Sequence, residues 1–133
     1  MYELTVKSRF AAAHRLRDYA GECENLHGHN WKVTARIASP DLNAEGMVVD
    51  FREVKDALEE AVEKLDHQYL NESPPFDEVN PTTENIATFL ARCLSESLPE
   101  GTFVRSVTCW ESDRCAATYV PDDSSDIPAL NKG

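Results

Sequence analysis

The stretch HGHNWKVTARI, residues 27–37, puts His27, His29, Trp31, Val33, Ala35 and Ile37 on one parity and Asn30, Lys32, Thr34 and Arg36 on the other. Successive side chains of a strand point to opposite faces, so this alternation predicts a half-buried strand with both histidines turned inward. Side chains at i and i+2 share a face with Cα atoms about 6.5–7 Å apart, close enough for two imidazoles to reach one ion. Residues 2–14 alternate in the same way, with Tyr2, Leu4, Val6, Ser8, Phe10, Ala12 and His14 against Glu3, Thr5, Lys7 and Arg9. Pairing of the two strands brings His14, near the end of one, to His27 and His29, near the start of the other. Any one of these histidines alone reads as an ordinary buried or surface residue. Three of the chain's four, all inward on consecutive strands, read as a shared metal centre, and three imidazoles on an apolar face suit zinc.

Outward from these strands, Asp50 and Glu53 form a helix-opening signal, followed by Phe51, Val54, Leu58, Ala61 and Leu65 at helical spacing. A helix over about 51–65 follows. The segment DHQYLNESPPFDEVNP, from residue 66, has no sustained period and reads as a surface connection whose length hints at function. Thr82 caps a second helix with the stripe Ile86, Phe89, Leu90, Cys93 and Leu94, ending before Pro99 and Gly101. FVRSVTCWES and CAATYVP flank Asp113-Arg114 as two antiparallel strands. The order ββααββ predicts an α+β fold, a four-stranded antiparallel sheet with two helices on one face. Residues 1–120 form a single domain, and PDDSSDIPALNKG, residues 121–133, is expected to be a mobile tail.

The chain has 133 residues, with 13 Lys+Arg against 24 Asp+Glu and a net charge of −11, which opposes a nucleic-acid backbone as partner. A small ligand in a locally basic pocket remains compatible with that acidity. No apolar run approaches the roughly 20 residues of a membrane span, and MYELTVKSRF does not read as a secretory signal, so a cytoplasmic location is expected. Four cysteines in a reducing compartment are expected as thiols.

Cys23 precedes His27 by three intervening residues. As a fourth ligand it closes a tetrahedral structural site, and beside an open position it serves as a catalytic thiol; spacing permits either. Asp66-His67 at a helix exit pairs a carboxylate with an imidazole that can tune proton transfer, or simply ends the helix. Glu111 shares parity with Val107 and Cys109, so its carboxylate either meets a ligand edge with two donors or lies solvated past the sheet edge.

The segments AAAHRL, CENLHGHNWKV, MVVDFREVK, LDHQYLN, NPTTENIA and VTCWES, in this order over residues 1–120, together resemble the 6-pyruvoyltetrahydropterin synthase and 6-carboxytetrahydropterin synthase family. The resemblance implies a tunnelling fold, or T-fold, whose subunits join edge to edge into trimers that stack to a hexamer. It implies Zn²⁺ on His14, His27 and His29, Cys23 as general base with Asp66 and His67, and Glu111 as anchor of the pterin ring. Thr82 and Thr83 match positions near the pterin pocket. The gap between Cys23 and His27 is similar to that of the bacterial 6-carboxytetrahydropterin synthases. The implied reaction converts 7,8-dihydroneopterin triphosphate to 6-carboxy-5,6,7,8-tetrahydropterin, acetaldehyde and triphosphate, toward queuosine. Glu24 gives the form CExxHGH, similar to enzymes that cleave the same substrate to 6-hydroxymethyl-7,8-dihydropterin for folate, so a bifunctional or folate-branch enzyme is the alternative, beside 6-pyruvoyltetrahydropterin synthase activity. A non-catalytic domain with a structural zinc on Cys23 and the three histidines is the non-enzyme alternative. Lys7, Arg9, Arg15, Arg17, Arg52 and Lys55 are open as triphosphate contacts.

Overall fold

The structure is a computed structural model and describes residues 1–17, 26–122, 127 and 130. Strand β1 spans Tyr2–His14 and β2 spans His27–Ser39; they pair antiparallel with His14 opposite His27 and Ala12 opposite His29. Helix α1 spans Phe51–Glu63, and after it comes a two-residue strand β3, Gln68–Tyr69. Helix α2 spans Thr83–Ser97, β4 Phe103–Trp110 and β5 Ala116–Tyr119. The sheet has five strands in the order β3-β1-β2-β4-β5.

The four-stranded, wholly antiparallel expectation therefore needs correction, because β3 adds a parallel edge to β1 through Ala12 and Ala13. Its cause is tertiary. His67 adopts φ 58°, a left-handed conformation uncommon outside glycine, and this turns the backbone out of α1 and along the free edge of β1. His67 N donates to Ala11 O at 2.6 Å and Ala11 N donates to Asp66 Oδ1 at 2.9 Å, so one residue of β1 is gripped through both its backbone groups.

Both helices cover one face of the sheet, α1 over β1 and α2 over β4 and β5. The strand parity read from sequence supplies that face: Val6, Phe10 and Ala12, then Trp31, Val33, Ala35 and Ile37, then Val107 and Cys109 are buried; Val104, of the other parity, joins them because β4 carries an extra residue, Arg105, between the partners of Arg36 and Ile37. They meet Val54, Leu58, Ala61 and Val62 of α1 and Ile86, Ala87, Leu90 and Leu94 of α2, one apolar stripe per helix. Strict alternation in β2 gives way near its end, where Ala38 and Ser39 are buried beside Ile37. Asp50 caps α1 by accepting from Arg52 N, and Thr82 caps α2 by accepting from Asn85 N. Within the expected tail, Ile127 is buried and its carbonyl accepts from Arg92 Nη1 at 2.6 Å. Among the described residues no helix is long and apolar enough to cross a membrane, and Cys93, Cys109 and Cys115 are free thiols.

Candidate metal centre

At the end of the β1-β2 ladder farthest from the N-terminus, strand parity turns His14, His27 and His29 to the helix-covered side. Together with Glu111 they offer four ligand atoms that all lie within 4.8 Å of one another. His14 is 1% exposed; the other three are half-buried. Trp31, two residues beyond His29 and fully buried, walls the cluster, with ring centroids 5.1 Å from His14 and 5.4 Å from His29. Its indole Nε1 donates to Ala12 O at 3.3 Å, which fixes the wall to β1.

The donor set fits a metal. His14 Nδ1 lies 2.8 Å from the carbonyl of Pro81, an acceptor only, so Nδ1 carries the proton and Nε2 presents a lone pair to the cluster. That Nε2 is 2.8 Å from His27 Nε2. His29 Nε2 is buried, and Glu111 Oε1 lies 3.0 Å from it. Desolvation is the largest cause holding both His14 and His29 below the ordinary histidine pKa, outweighing the Pro81 bond at His14 and the Glu111 charge at His29. Neutral imidazole is the form that ligates.

Glu111 follows β4 directly. Its backbone N donates to Cys115 O at 3.1 Å across the β4-β5 turn, and its Oε2 accepts from Thr83 Oγ1 at 2.9 Å. Oε1 is left facing His29, with His27 Nε2 at 3.9 Å. The two threonines at the start of α2 thus divide their work: Thr82 spends its hydroxyl on the helix cap and Thr83 holds the carboxylate.

Asp66 and His67 form a dyad, His67 Nδ1 to Asp66 Oδ2 at 3.0 Å. The Ala11 N–H is the first cause lowering the Asp66 pKa, ahead of His67. Within one subunit the dyad stays out of the histidine cluster, on the β3 side of β1, and the His67 side chain is 82% exposed. Asp66 and Glu111 nonetheless line one recess with Phe10, Ala11, Asn30 and Trp31. His67 and His29 line a second, shallower groove with Ala11–Ala13. Cys23 and Glu24 lie outside the described residues. Burial raises the Cys93 pKa and pushes Cys109 up to about 12, so neither thiol is a nucleophile at neutral pH.

The cations resolve in part. Arg52 pairs with Asp50, and Arg17 is engaged by backbone carbonyls, while Lys7 and Arg9 are on β1. Sequence reasoning assigned no role to Asn71 and Asn80, which hold the backbone just past β1, or to Pro81, whose carbonyl meets His14, although LDHQYLN and NPTTENIA contain them and Asn80-Pro81 is a turn signal.

The family model described as 6-pyruvoyl tetrahydropterin synthase matches residues 3–122. A 6-carboxy-5,6,7,8-tetrahydropterin synthase of Synechocystis is 37% identical over 115 residues, covering 83% of this protein and 86% of that one. A dihydroneopterin monophosphate aldolase of Pyrococcus furiosus is 31% identical over 107 residues, covering 80% and 87%. The solved structure of Caenorhabditis elegans 6-pyruvoyl tetrahydropterin synthase superposes with a TM-score of 0.80 over 91% of this protein and 96% of that one, at 24% identity, and so shares the fold.

Proposed function

Because the protein belongs to the 6-pyruvoyl tetrahydropterin synthase family, we propose that it is a zinc-dependent lyase converting 7,8-dihydroneopterin triphosphate to 6-carboxy-5,6,7,8-tetrahydropterin, acetaldehyde and triphosphate. The observation that carries this reading is the convergence of three inward imidazole nitrogens beside a carboxylate that a threonine holds. His14, His27 and His29 hold the zinc. Bound there, it supplies Lewis-acid polarisation of a substrate oxygen and so acidifies the neighbouring C–H. Glu111 accepts the 2-amino and ring N–H of the pterin; a carboxylate has about four acceptor sites, and the single Thr83 bond leaves room for them. Fixing the ring fixes which substrate C–H reaches the base. Cys23, as thiolate, takes that proton, and Asp66 orients His67 for the proton's onward transfer. Thr82 acts through the helix it caps.

The free edge of β1 and the terminal strand β5 are open to edge pairing, and the dyad stands beside that β1 edge. We place the protein in the cytoplasm as a homo-oligomer, a hexamer of two trimers, with the product serving the queuosine branch. A second reading is favoured by Glu24 and, for the aldolase chemistry alone, by the Pyrococcus relative, whose name gives a monophosphate substrate: retro-aldol cleavage of the dihydroneopterin triphosphate to 6-hydroxymethyl-7,8-dihydropterin, alone or beside the first activity.

Incubating the zinc-loaded protein with 7,8-dihydroneopterin triphosphate and separating the pterins distinguishes carboxy-, pyruvoyl- and hydroxymethyl- products. Acetaldehyde is expected, and its absence refutes the queuosine assignment. Cys23→Ala is expected to keep zinc and fold while turnover falls about 10²–10⁴-fold, the usual worth of a general base. Undiminished turnover removes the thiol from the mechanism. Zinc lost along with it makes Cys23 a fourth ligand and the domain a structural one.

A further inference from the structure

Strand β1 stops pairing with β2 at His14, yet side chains hold its backbone for three more residues. Arg15 N donates to Asn71 Oδ1 at 2.8 Å, and Asn71 Nδ2 donates back to Arg15 O at 2.7 Å. Two residues on, Arg17 N donates to Asn80 Oδ1 at 2.8 Å, and Asn80 Nδ2 donates back to Arg17 O at 3.1 Å. A carboxamide carries a carbonyl acceptor and an N–H donor, so each asparagine takes the place of a neighbouring strand's peptide.

The Arg17 guanidinium then ties the segment bearing these asparagines together. It donates to the carbonyls of Val79 at 3.1 Å, Asn71 at 3.2 Å and Phe76 at 2.5 Å. No carboxylate pairs with it among the described residues. Three carbonyls in different directions match a planar fork of five N–H donors, and a lysine ammonium on its flexible stem does not reproduce that spread.

Pro81 directly follows Asn80 in sequence. The Asn80 carbonyl accepts from Thr82 N and from Asn85 Nδ2, both at 2.8 Å, which docks this corner on the start of α2. Pro81 has a fixed φ and no N–H of its own, so its neighbours set where its carbonyl points. It points at His14 Nδ1.

We propose that Arg17 is a positioning residue for the metal centre: by clamping residues 71–80 to the end of β1 it holds the Pro81 carbonyl that fixes the tautomer and ring orientation of His14. The inference rests on the zinc reading above for its consequence and on the hydrogen bonds alone for its geometry. Outer partners that orient a ligating histidine are typically worth 10–100-fold in metal affinity.

The test compares wild type, Arg17→Lys, Arg17→Ala and Asn71→Ala by zinc competition against a chromogenic chelator. In parallel, ¹⁵N NMR of the metal-free proteins reads the tautomer of His14. Zinc affinity is expected to fall about 10–100-fold in Arg17→Lys, without rescue by the retained charge, and less in Asn71→Ala, which loses only the outer pair. The His14 ring is expected to pass from one Nδ1–H tautomer to an exchanging mixture in Arg17→Lys. Should Arg17→Ala fail to fold, the lysine and asparagine variants decide. Wild-type affinity and a wild-type His14 tautomer in a folded Arg17→Lys overturn the clamp. A wild-type protein that shows the fixed tautomer and takes up no zinc overturns the metal reading instead.

Discussion

His14 shows how one residue carries both packing and chemistry. Its parity on β1 buries it, burial favours the neutral ring, and the Pro81 carbonyl decides which nitrogen keeps the proton. The cost appears when no metal is bound. His14 and His29 both have folded pKa values below the 6.5 of the unfolded state, with desolvation the first cause for each. Below about pH 6.5 the unfolded state therefore binds protons that the folded state refuses, and stability rises with pH across that window. The stabilisation is complete above pH 6.5 and is lost as pH falls from there through the depressed folded values. In excess chelator, urea midpoints are expected to drop between about pH 7.5 and 5.5, with a shallower drop in His14→Phe, which removes one titrating ring. Equal slopes in the two proteins take His14 out of the explanation.

At the scale of elements, the two helices start alike and matter differently. Asp50 caps α1 and Thr82 caps α2, and either loss to alanine costs about 1 kcal/mol. Only α2 begins at the site: the residue after its cap, Thr83, holds Glu111. Asp50→Ala and Thr82→Ala are thus expected to lower the melting temperature by similar amounts, while turnover falls on the order of tenfold in Thr82→Ala alone. An equal fall in Asp50→Ala breaks the link between cap and carboxylate. Both caps and the strand parities are readable in the sequence because each depends on neighbours within a few residues. The two-residue β3 is not readable, since Gln68-Tyr69 carries no alternation and exists only because Asp66 and His67 grip Ala11. The meeting of Glu111 with His29 is likewise hidden: parity puts the carboxylate on the right face, but its height against β2 is set by the β2-β4 register, in which Cys109 lies opposite Val33. The hold of Asn71, Asn80 and Arg17 on the end of β1 joins residues more than fifty positions apart and leaves no periodic trace.

Across the whole molecule, the candidate groups divide between two places. The histidines and Glu111 lie under the helices on β1, β2 and the end of β4, whereas Asp66 and His67 flank the far edge of β1, with His67 turned outward. Residues 2–11 of β1 form a strand ladder on one side only among the described residues, and β5 pairs only with β4. A sheet with two open edges is a template for joining copies of itself, and a ring of copies joined edge to edge leaves none exposed. Under the proposed edge-to-edge assembly, such a join is expected to carry the dyad of one copy up to its neighbour, and the site is then expected to draw its metal ligands from one subunit and His67 from the next. Two inactive variants test this directly. His14→Ala lacks a metal ligand and keeps the dyad; His67→Ala lacks the dyad and keeps the metal ligands. Each alone is expected to be inactive, but after mixed refolding at equal amounts about a quarter of the sites combine an intact half from each subunit, and activity returns to about that fraction of wild type. Mixtures as inactive as their components, in heteromers verified by mass, show instead that each subunit builds its whole site alone.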